Sequence, residues 1–295
     1  MINYRELNYD QDIDEVIQLI NANLNLRHNR ELMLWKHLKN PFGKSVGAVA
    51  TKNNKIIAIV FYMPYNFENK EGKIIKGLRP VDGCTSKKER GQGVFKKLMI
   101  YCLKLWKEDY IFLFANPNKY SYPEFLKLGW KPVNNRYSYK IGVILPLISS
   151  RKYSLIDYTF TEKSIEKFNL CNSIVSGNNK NFIEWRFKDS IYKIKKITRN
   201  GEFNFIIYRI KKIKKINCIV LCDFIGDTAY INDAVKQISW LEKIFLIYYL
   251  SNKLTDNLDF LFTKNQRETV ITFLDKRNIM EKDIIFSLAD LEGRI

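Results

Sequence analysis

The sequence predicts an α/β (α+β) protein of two tandem domains, each a mixed twisted sheet flanked by helices. Three observations carry that prediction. The order helix end, strand, turn, strand occurs twice. Glu31-Leu-Met-Leu-Trp35-Lys36 leads through Asn40-Pro-Phe-Gly43 to the strand-like runs Val46–Thr51 and Ile56–Tyr62, and Asn181-Phe-Ile-Glu-Trp185-Arg186 leads to Tyr192–Thr198 and Phe203–Tyr208. A repeated order of elements marks a duplication. Strand-like and helix-like periodicities alternate along both halves, as layered α/β folds require. The 295 residues, 46% of them apolar, suffice for two cores of ordinary size, divided as 1–150 and 151–295.

In the first half, Asn3–Asn8 reads as a strand and Asp12–Asn23 as a helix with Ile13, Val16, Ile17 and Ile20 on one face. After the hairpin that follows Trp35, Ile74–Ser86 is extended. Val94–Lys107 is helical, with Phe95, Leu98, Met99, Cys102 and Trp106 spaced for one face. Tyr110–Ala115 is a continuous apolar run, as in a parallel strand covered on both sides. Strand, glycine loop, helix and strand make a right-handed crossover. Tyr122–Leu128 is a short helix ended by Gly129, Val133–Val143 begins the closing strands, and Leu147–Leu155 is the passage to the second half. There the expected elements are an amphipathic stretch Glu162–Asn172, the Trp185 segment and its hairpin, and a strand Asn217–Cys222. A helix Asn232–Leu250, a strand Asp259–Thr263, a helix Arg267–Arg277 and a closing strand Asp283–Leu288 complete it.

Composition narrows the function classes. No apolar stretch approaches the ~18 residues of a membrane span, and the five cysteines lack metal-ligand spacing, so a soluble, cytoplasmic, metal-free protein with reduced thiols is expected. The net charge of +18 invites a polyanion or a lipid surface, but both halves share it. Its densest run, Arg209–Ile216, alternates too irregularly for a basic helix and reads as a strand end or hairpin.

One segment carries recognisable chemistry. Lys88-Glu-Arg90-Gly91-Gln92-Gly93-Val94-Phe95 lies between an extended run and an amphipathic helix. Two glycines there let the backbone turn sharply and approach a phosphate without a Cβ, and the helix start adds amide donors and the positive end of its dipole. Between Cys222 and the next helix the second half reads Asp-Phe-Ile-Gly-Asp-Thr-Ala-Tyr, with no paired glycines beside a cation, so it is not expected to hold a pyrophosphate.

The segment resembles the signature of the GNAT acyltransferase superfamily, Arg/Gln-x-x-Gly-x-Gly/Ala, with Lys88 departing from the first position. A second family feature, an Asn after the fifth strand and a short helix ending in a Gly-aromatic pair, is matched by Asn116 through Gly129-Trp130. The resemblance covers roughly residues 40–140, and the duplicated layout is similar to tandem-GNAT proteins of cell-surface polysaccharide biosynthesis. It implies acetyl-coenzyme A as co-substrate and direct transfer to a primary amine within a ternary complex. The acceptor class it suggests is an amino sugar, including a nucleotide-linked one. The backbone at Gly83, Cys84, Thr85 and Ser86 is then expected to meet the pantetheine arm and the thioester. Lys88, Arg90, Gly91, Gln92, Gly93, Val94 and Phe95 are expected to hold the pyrophosphate, with Asn116 and Phe125 beside the cofactor.

Asp82, the acid in Ile74–Ser86, is the candidate base for the amine, against a structural or substrate-positioning role. The family's usual proton donor to the thiolate is a Tyr at the position of Phe125, so Tyr122, one turn earlier, takes that part. Tyr120 or water are the alternatives. His28 and His37 lie outside this constellation and read as structural or surface residues. The second half is expected to shape the acceptor cleft or stabilise the fold. Two other functions stay open: a Fem-like transferase taking its acyl group from aminoacyl-tRNA, and a non-catalytic basic module for nucleic acid or membrane.

Overall fold

Alternation between the two faces of a strand decides how the first half folds. In the computed structural model, which describes residues 1–24, 27–69, 71–133, 137–145, 154–158, 174–176, 180–199, 202–275 and 284–291, β1 (Asn3–Glu6), β2 (Val46–Lys52) and β3 (Lys55–Glu68) form an antiparallel ladder. Asn53 and Asn54, at φ 50° and 59°, make the left-handed turn that joins β2 to β3. From this ladder Ala48, Ala50, Ala58, Val60 and Tyr62 share a core with Leu98, Met99 and Cys102 of α3 (Val94–Leu105). Their neighbours Val49, Ile59 and Phe61 share another with α1 (Ile13–Leu24) and with Met33 of α2 (Arg30–Leu38). The side chain of Asn29 caps α2 at Leu32 N.

β4 (Ile74–Thr85) lies beside β3, and β5 (Phe112–Ala115) runs parallel to β4 with α3 as the crossover. α4 (Tyr122–Lys127) and β6 (Lys131–Pro132) follow. β6 does not reach β5: the strand between them, antiparallel to both, is β14 (Thr272–Asp275) from the far end of the chain. The first sheet is therefore ordered β1-β2-β3-β4-β5-β14-β6.

The second sheet comprises β7 (Tyr137–Val143), β8 (Ser154–Asp157), β9 (Lys193–Arg199), β10 (Glu202–Ile213), β11 (Ile216–Ile225), β12 (Leu246–Ser251) and β13 (Phe262–Thr269). Read from β8, its order is β8-β9-β10-β11-β12-β7-β13, the same arrangement slot for slot. β7 fills the place that β14 fills in the first sheet. Each half supplies one strand to the other's sheet, and the duplication read from the sequence is visible in the topology. Helices α5 (Lys180–Phe187), α6 (Ile231–Glu242) and α7 (Leu288–Leu291) belong to this unit.

This exchange corrects the domain boundary expected at residue 150. One compact unit is Met1–Asn66, Ile75–Pro132 and Thr272–Ile279, and the other is Phe67–Ile74, Val133–Ile271 and Met280–Ile295. Tyr137–Val143 falls in the second because its ladder partners are β12 and β13.

Three further expectations change. The helix expected over Asn232–Leu250 stops at Glu242, where Lys243 turns left-handed (φ 54°) and its amide bonds the carbonyls of Ser239 and Trp240. Leu246–Ser251, rich in aromatic and apolar side chains, is then the strand β12. The helix expected over Arg267–Arg277 is instead the end of β13 and all of β14, because Thr272 and Phe273 each have strand partners on both sides. Of the closing strand expected at Asp283–Leu288, the described part is a bridge at Ile284 followed by α7. The stretch Glu162–Asn172 and most of Leu147–Leu155 lie outside the described residues. The basic run Arg209–Ile216 is a hairpin, with Lys214 and Lys215 at its turn (φ 48° and 71°) between β10 and β11.

Candidate active site

The site of the first unit begins where two strands part. β4 and β5 are joined at Gly77–Phe112 and Leu78–Leu113, after which β4 runs on to Thr85 while β5 ends at Ala115. Gly77 is needed at the junction, since a Cβ there would lie 2.6 Å from Cζ of Phe112 and 2.8 Å from the Tyr65 carbonyl. Along the parted segment, Cys84 packs into the core with α1, and burial pushes its thiol up to about 12. Its contribution to a ligand is therefore backbone. Thr85 Oγ1 is buried without a hydrogen-bond partner among the described residues. The Ser86 amide donates to the Ile57 carbonyl at 2.8 Å, so of the four expected backbone donors this one is engaged by the sheet.

From Ser86 a 3-10 turn, Lys87–Glu89, leads to Arg90 and the glycine pair. Gly91 and Gly93 are both left-handed, at φ 80° and 71°, and a Cβ on either would meet nothing within 4 Å. The glycines thus answer a backbone requirement and leave open the space above them. Gly93 is the N-cap of α3, and no side chain caps that end, so its first amides remain for an outside acceptor. Arg90 Nε donates to the Thr85 carbonyl at 3.1 Å and ties the loop to the end of β4. The loop is braced again by Glu89, which binds Lys52 Nζ at 3.0 Å and Gln92 Nε2 at 3.3 Å. Lys88 is exposed and Val94 buried. The Phe95 ring lies against Gly83, where a Cβ would come within 2.9 Å of it.

Asp82, within the parted segment, sits at φ 50° in β4, a conformation aspartate tolerates better than most residues. Its carboxylate is surrounded. Lys36 Nζ lies 2.7 Å from Oδ2, His37 Nε2 3.1 Å from the same oxygen, and His28 Nε2 3.3 Å from Oδ1. Burial alone would raise this carboxyl, but the Lys36 ammonium and the two imidazoles outweigh it and hold it well below the ordinary carboxylate range. An ionised carboxylate accepts only, so the Nε2 atoms carry the hydrogens. His37 is fully buried, accepts from Ser45 Oγ at Nδ1 (3.0 Å) and stacks on Phe61 at 3.8 Å. Burial pushes its imidazole below the ordinary value. With His37 neutral, the Lys36 ammonium is the charge that keeps Asp82 ionised. A carboxylate held this way is a weak proton acceptor, which favours the positioning role over the basic one.

Sequence reasoning passed over Lys36 and set His28 and His37 outside the constellation as structural or surface residues, whereas both lie against Asp82. Lys36 carried a signal, since Trp35-Lys36 repeats as Trp185-Arg186. The histidines carried none, because their relation to Asp82 arises only when α2 and the end of α1 pack against the sheet.

Tyr122 starts α4, partly buried, and its hydroxyl makes no hydrogen bond among the described residues. Phe125 is buried edge-on against Trp130, with centroids 4.7 Å apart. It is a core residue. Asn116 directly follows β5.

The second unit repeats the geometry with different chemistry. β11 and β12 are joined at Ile219–Ile247 and Val220–Tyr248 before β11 runs on to Ile225. Counted from the last paired residue, Asp223 falls one position from the place of Asp82, and Arg186 is the cation acting on it. Here burial and the neighbouring Asp290 dominate and push the Asp223 carboxyl up to about 8. Ser287 links the two acids, its Oγ donating to Asp223 Oδ2 at 3.2 Å and its amide to Asp290 Oδ2 at 2.7 Å. After β11, Gly226 (φ 123°) is the lone glycine, packed so that a Cβ would collide with Asn204 Oδ1. A 3-10 turn, Thr228–Tyr230, leads from there into α6, and the Asp227 carboxylate caps that turn, accepting from Ala229 N at 2.9 Å.

No protein-family model matches the chain, and no curated protein matches it. Solved structures do. A GCN5-related N-acetyltransferase from Anabaena variabilis is similar at a TM-score of 0.71 over 92% of this chain and 72% of its own, with 10% identity. One from Kribbella flavida reaches 0.63 over 92% and 70%, also at 10% identity. A tandem GNAT protein from the clavulanic acid biosynthesis pathway reaches 0.58 over 93% and 98%, at 11% identity. At such identities the likeness is one of fold, and the fold of this chain is that of two GNAT-like domains, seven-stranded mixed sheets flanked by helices, each completed by a strand from the other half.

Proposed function

We propose that the chain transfers an acetyl group from acetyl-coenzyme A to a primary amine, with the donor held by the first unit. The observation that carries this reading is the conjunction at the end of β4. An uncapped helix start with two left-handed glycines adjoins a strand that has left its partner, and a buried hydroxyl, Thr85 Oγ1, lacks a hydrogen bond among the described residues. A ligand with a diphosphate at one end and amides along an extended arm suits both features. Acetyl-CoA, when bound, supplies an activated carbonyl. Gly83, Cys84 and Thr85 would meet the arm, and the backbone from Gly91 to Phe95 the pyrophosphate, with Lys88 and Arg90 adding positive charge. Asn116 would line the far side. Tyr122 would protonate the departing thiolate. The amino-sugar acceptor rests on the sequence resemblance. The second unit has a single glycine after β11, packed against Asn204, and an acid capping the turn before α6, so it would hold no second donor and one coenzyme A should bind per chain.

Calorimetric titration with acetyl-CoA, coenzyme A and transfer RNA tests this. One acetyl-CoA site per chain is expected, with affinity falling at least about tenfold in Gly93→Asn, because Asn adopts the left-handed conformation yet brings a Cβ toward the phosphates. Binding of transfer RNA without acetyl-CoA, or an unchanged affinity in a folded Gly93→Asn variant, would sink the assignment.

A further inference from the structure

An amine attacking a thioester must lose a proton, and the groups around Asp82 differ sharply in their ability to take it. Lys36, ion-paired at 2.7 Å, has no lone pair as an ammonium. Asp82 receives Lys36 and both imidazoles, and its basicity is suppressed. His37 is wholly buried with both nitrogens engaged. His28 is different. Its side chain keeps 10% of its surface open, and Nε2 donates to Asp82 Oδ1. The lone pair therefore lies on Nδ1, which has no partner among the described residues. Its main chain is clamped on both sides by one residue of α1, since Asn21 Oδ1 accepts from His28 N at 2.8 Å and Asn21 Nδ2 donates to His28 O at 2.9 Å.

We infer that His28 is the catalytic proton acceptor of this site and Asp82 the residue that positions it. The inference rests on the reading of the first unit as the acetyl-CoA site. As the amine nitrogen bonds the acetyl carbon, the carbon–sulfur bond breaks and its electron pair leaves with the thiolate. The amine proton passes to His28 Nδ1. The imidazolium so formed is paired with the Asp82 carboxylate, which is what an ionised aspartate behind an imidazole stabilises. The thiolate then takes a proton from water or from Tyr122, which regains one from solvent, and His28 returns its own to solvent. The charged and titratable groups facing His28 among the described residues are Asp82 from β4 and, across it, Lys36 and His37 from α2; α1 presents the uncharged Asn21.

The chain has only two histidines, which makes the test clean. In the full-length protein both rings are followed by nitrogen-15 NMR against pH, with His28→Gln assigning the signals, and thiol release from acetyl-CoA is measured with glucosamine as acceptor. His28 should carry its proton on Nε2 in the native protein and lose that preference in Asp82→Asn. Turnover should fall about 100-fold or more in His28→Gln with acetyl-CoA affinity within about twofold of native. The acid limb of the native rate profile should track the His28 titration and vanish in the variant. A native His28 protonated on Nδ1, or a His28→Gln protein that keeps its turnover and its acid limb, overturns the inference while donor binding stands. Failure of the native protein to bind acetyl-CoA overturns the reading beneath it and the inference together. Where glucosamine is not acetylated the NMR arm still tests the inference, since a proton on Nδ1 would leave no acceptor there.

Discussion

Asp82 and Asp223 occupy near-equivalent places in the two units, and their surroundings push them in opposite directions. Asp82 has a lysine and two imidazoles against it, so its carboxyl is ionised throughout the physiological range. Asp223 shares its burial with Asp290, and its carboxyl rises to about 8 because two buried acids joined through one serine cannot readily both ionise. The sign of the consequence follows. A carboxyl whose folded value is raised stabilises the fold fully below its unfolded value, about 3.9, and this contribution is lost as pH rises through the folded value. Thermal melts from about pH 5 to about pH 9 should therefore show Asp223→Asn gaining on the native protein as pH increases, since asparagine keeps the shape without the charge. Parallel curves over that range would contradict the protonation of Asp223 in the folded state.

At the scale of elements, the strands that most affect the first sheet are not all in the first half. Phe273 of β14 is buried and stacks on Phe112 of β5 with centroids 4.9 Å apart and the rings within 16° of parallel. Phe273→Ala should cost about 3–5 kcal/mol, the range for deleting a buried ring, although the residue lies far in sequence from every other strand of that sheet. Chemical denaturation compared with Val270→Ala checks this, since Val270 is exposed and should change stability by less than about 0.5 kcal/mol. Equal effects would mean that β14 is dispensable. β12 teaches a related lesson: its apolar run continued the pattern of α6 closely enough to read as helix, and the left-handed turn at Lys243, which ends α6, is not a residue type that announces one.

For the whole molecule, the exchange of β7 and β14 makes the two halves interdependent in folding. A fragment of residues 1–150 keeps Tyr137–Val143 without its ladder and exposes the β5 edge that β14 covers. It should fail to show a cooperative thermal transition and should aggregate through that edge. Residues 1–132 joined through a flexible linker to 268–279 should instead melt cooperatively, because that chain contains every strand of the first sheet. A cooperative melt of the 1–150 fragment would show that the exchanged strand is not required. On the expected outcome the tandem fold is a unit of folding as well as of duplication.

The sequence by itself determined the duplication, the class of fold, the order of elements as far as β5 and α4, and the paired-glycine loop before α3. Each of these is local: two glycines in left-handed positions, a helix period after them, an alternating strand before them, and a Trp-cation pair written twice. Only the tertiary structure decided which strand stands beside β5, that residues 246–251 and 272–275 are strands, that Phe125 is core, and that His28, Lys36 and His37 converge on Asp82. The reason is physical. A short apolar segment suits a helix or a strand until a neighbouring strand offers its hydrogen bonds, and a carboxylate fixes an imidazole's tautomer and orientation only when packing brings the two together from distant parts of the chain.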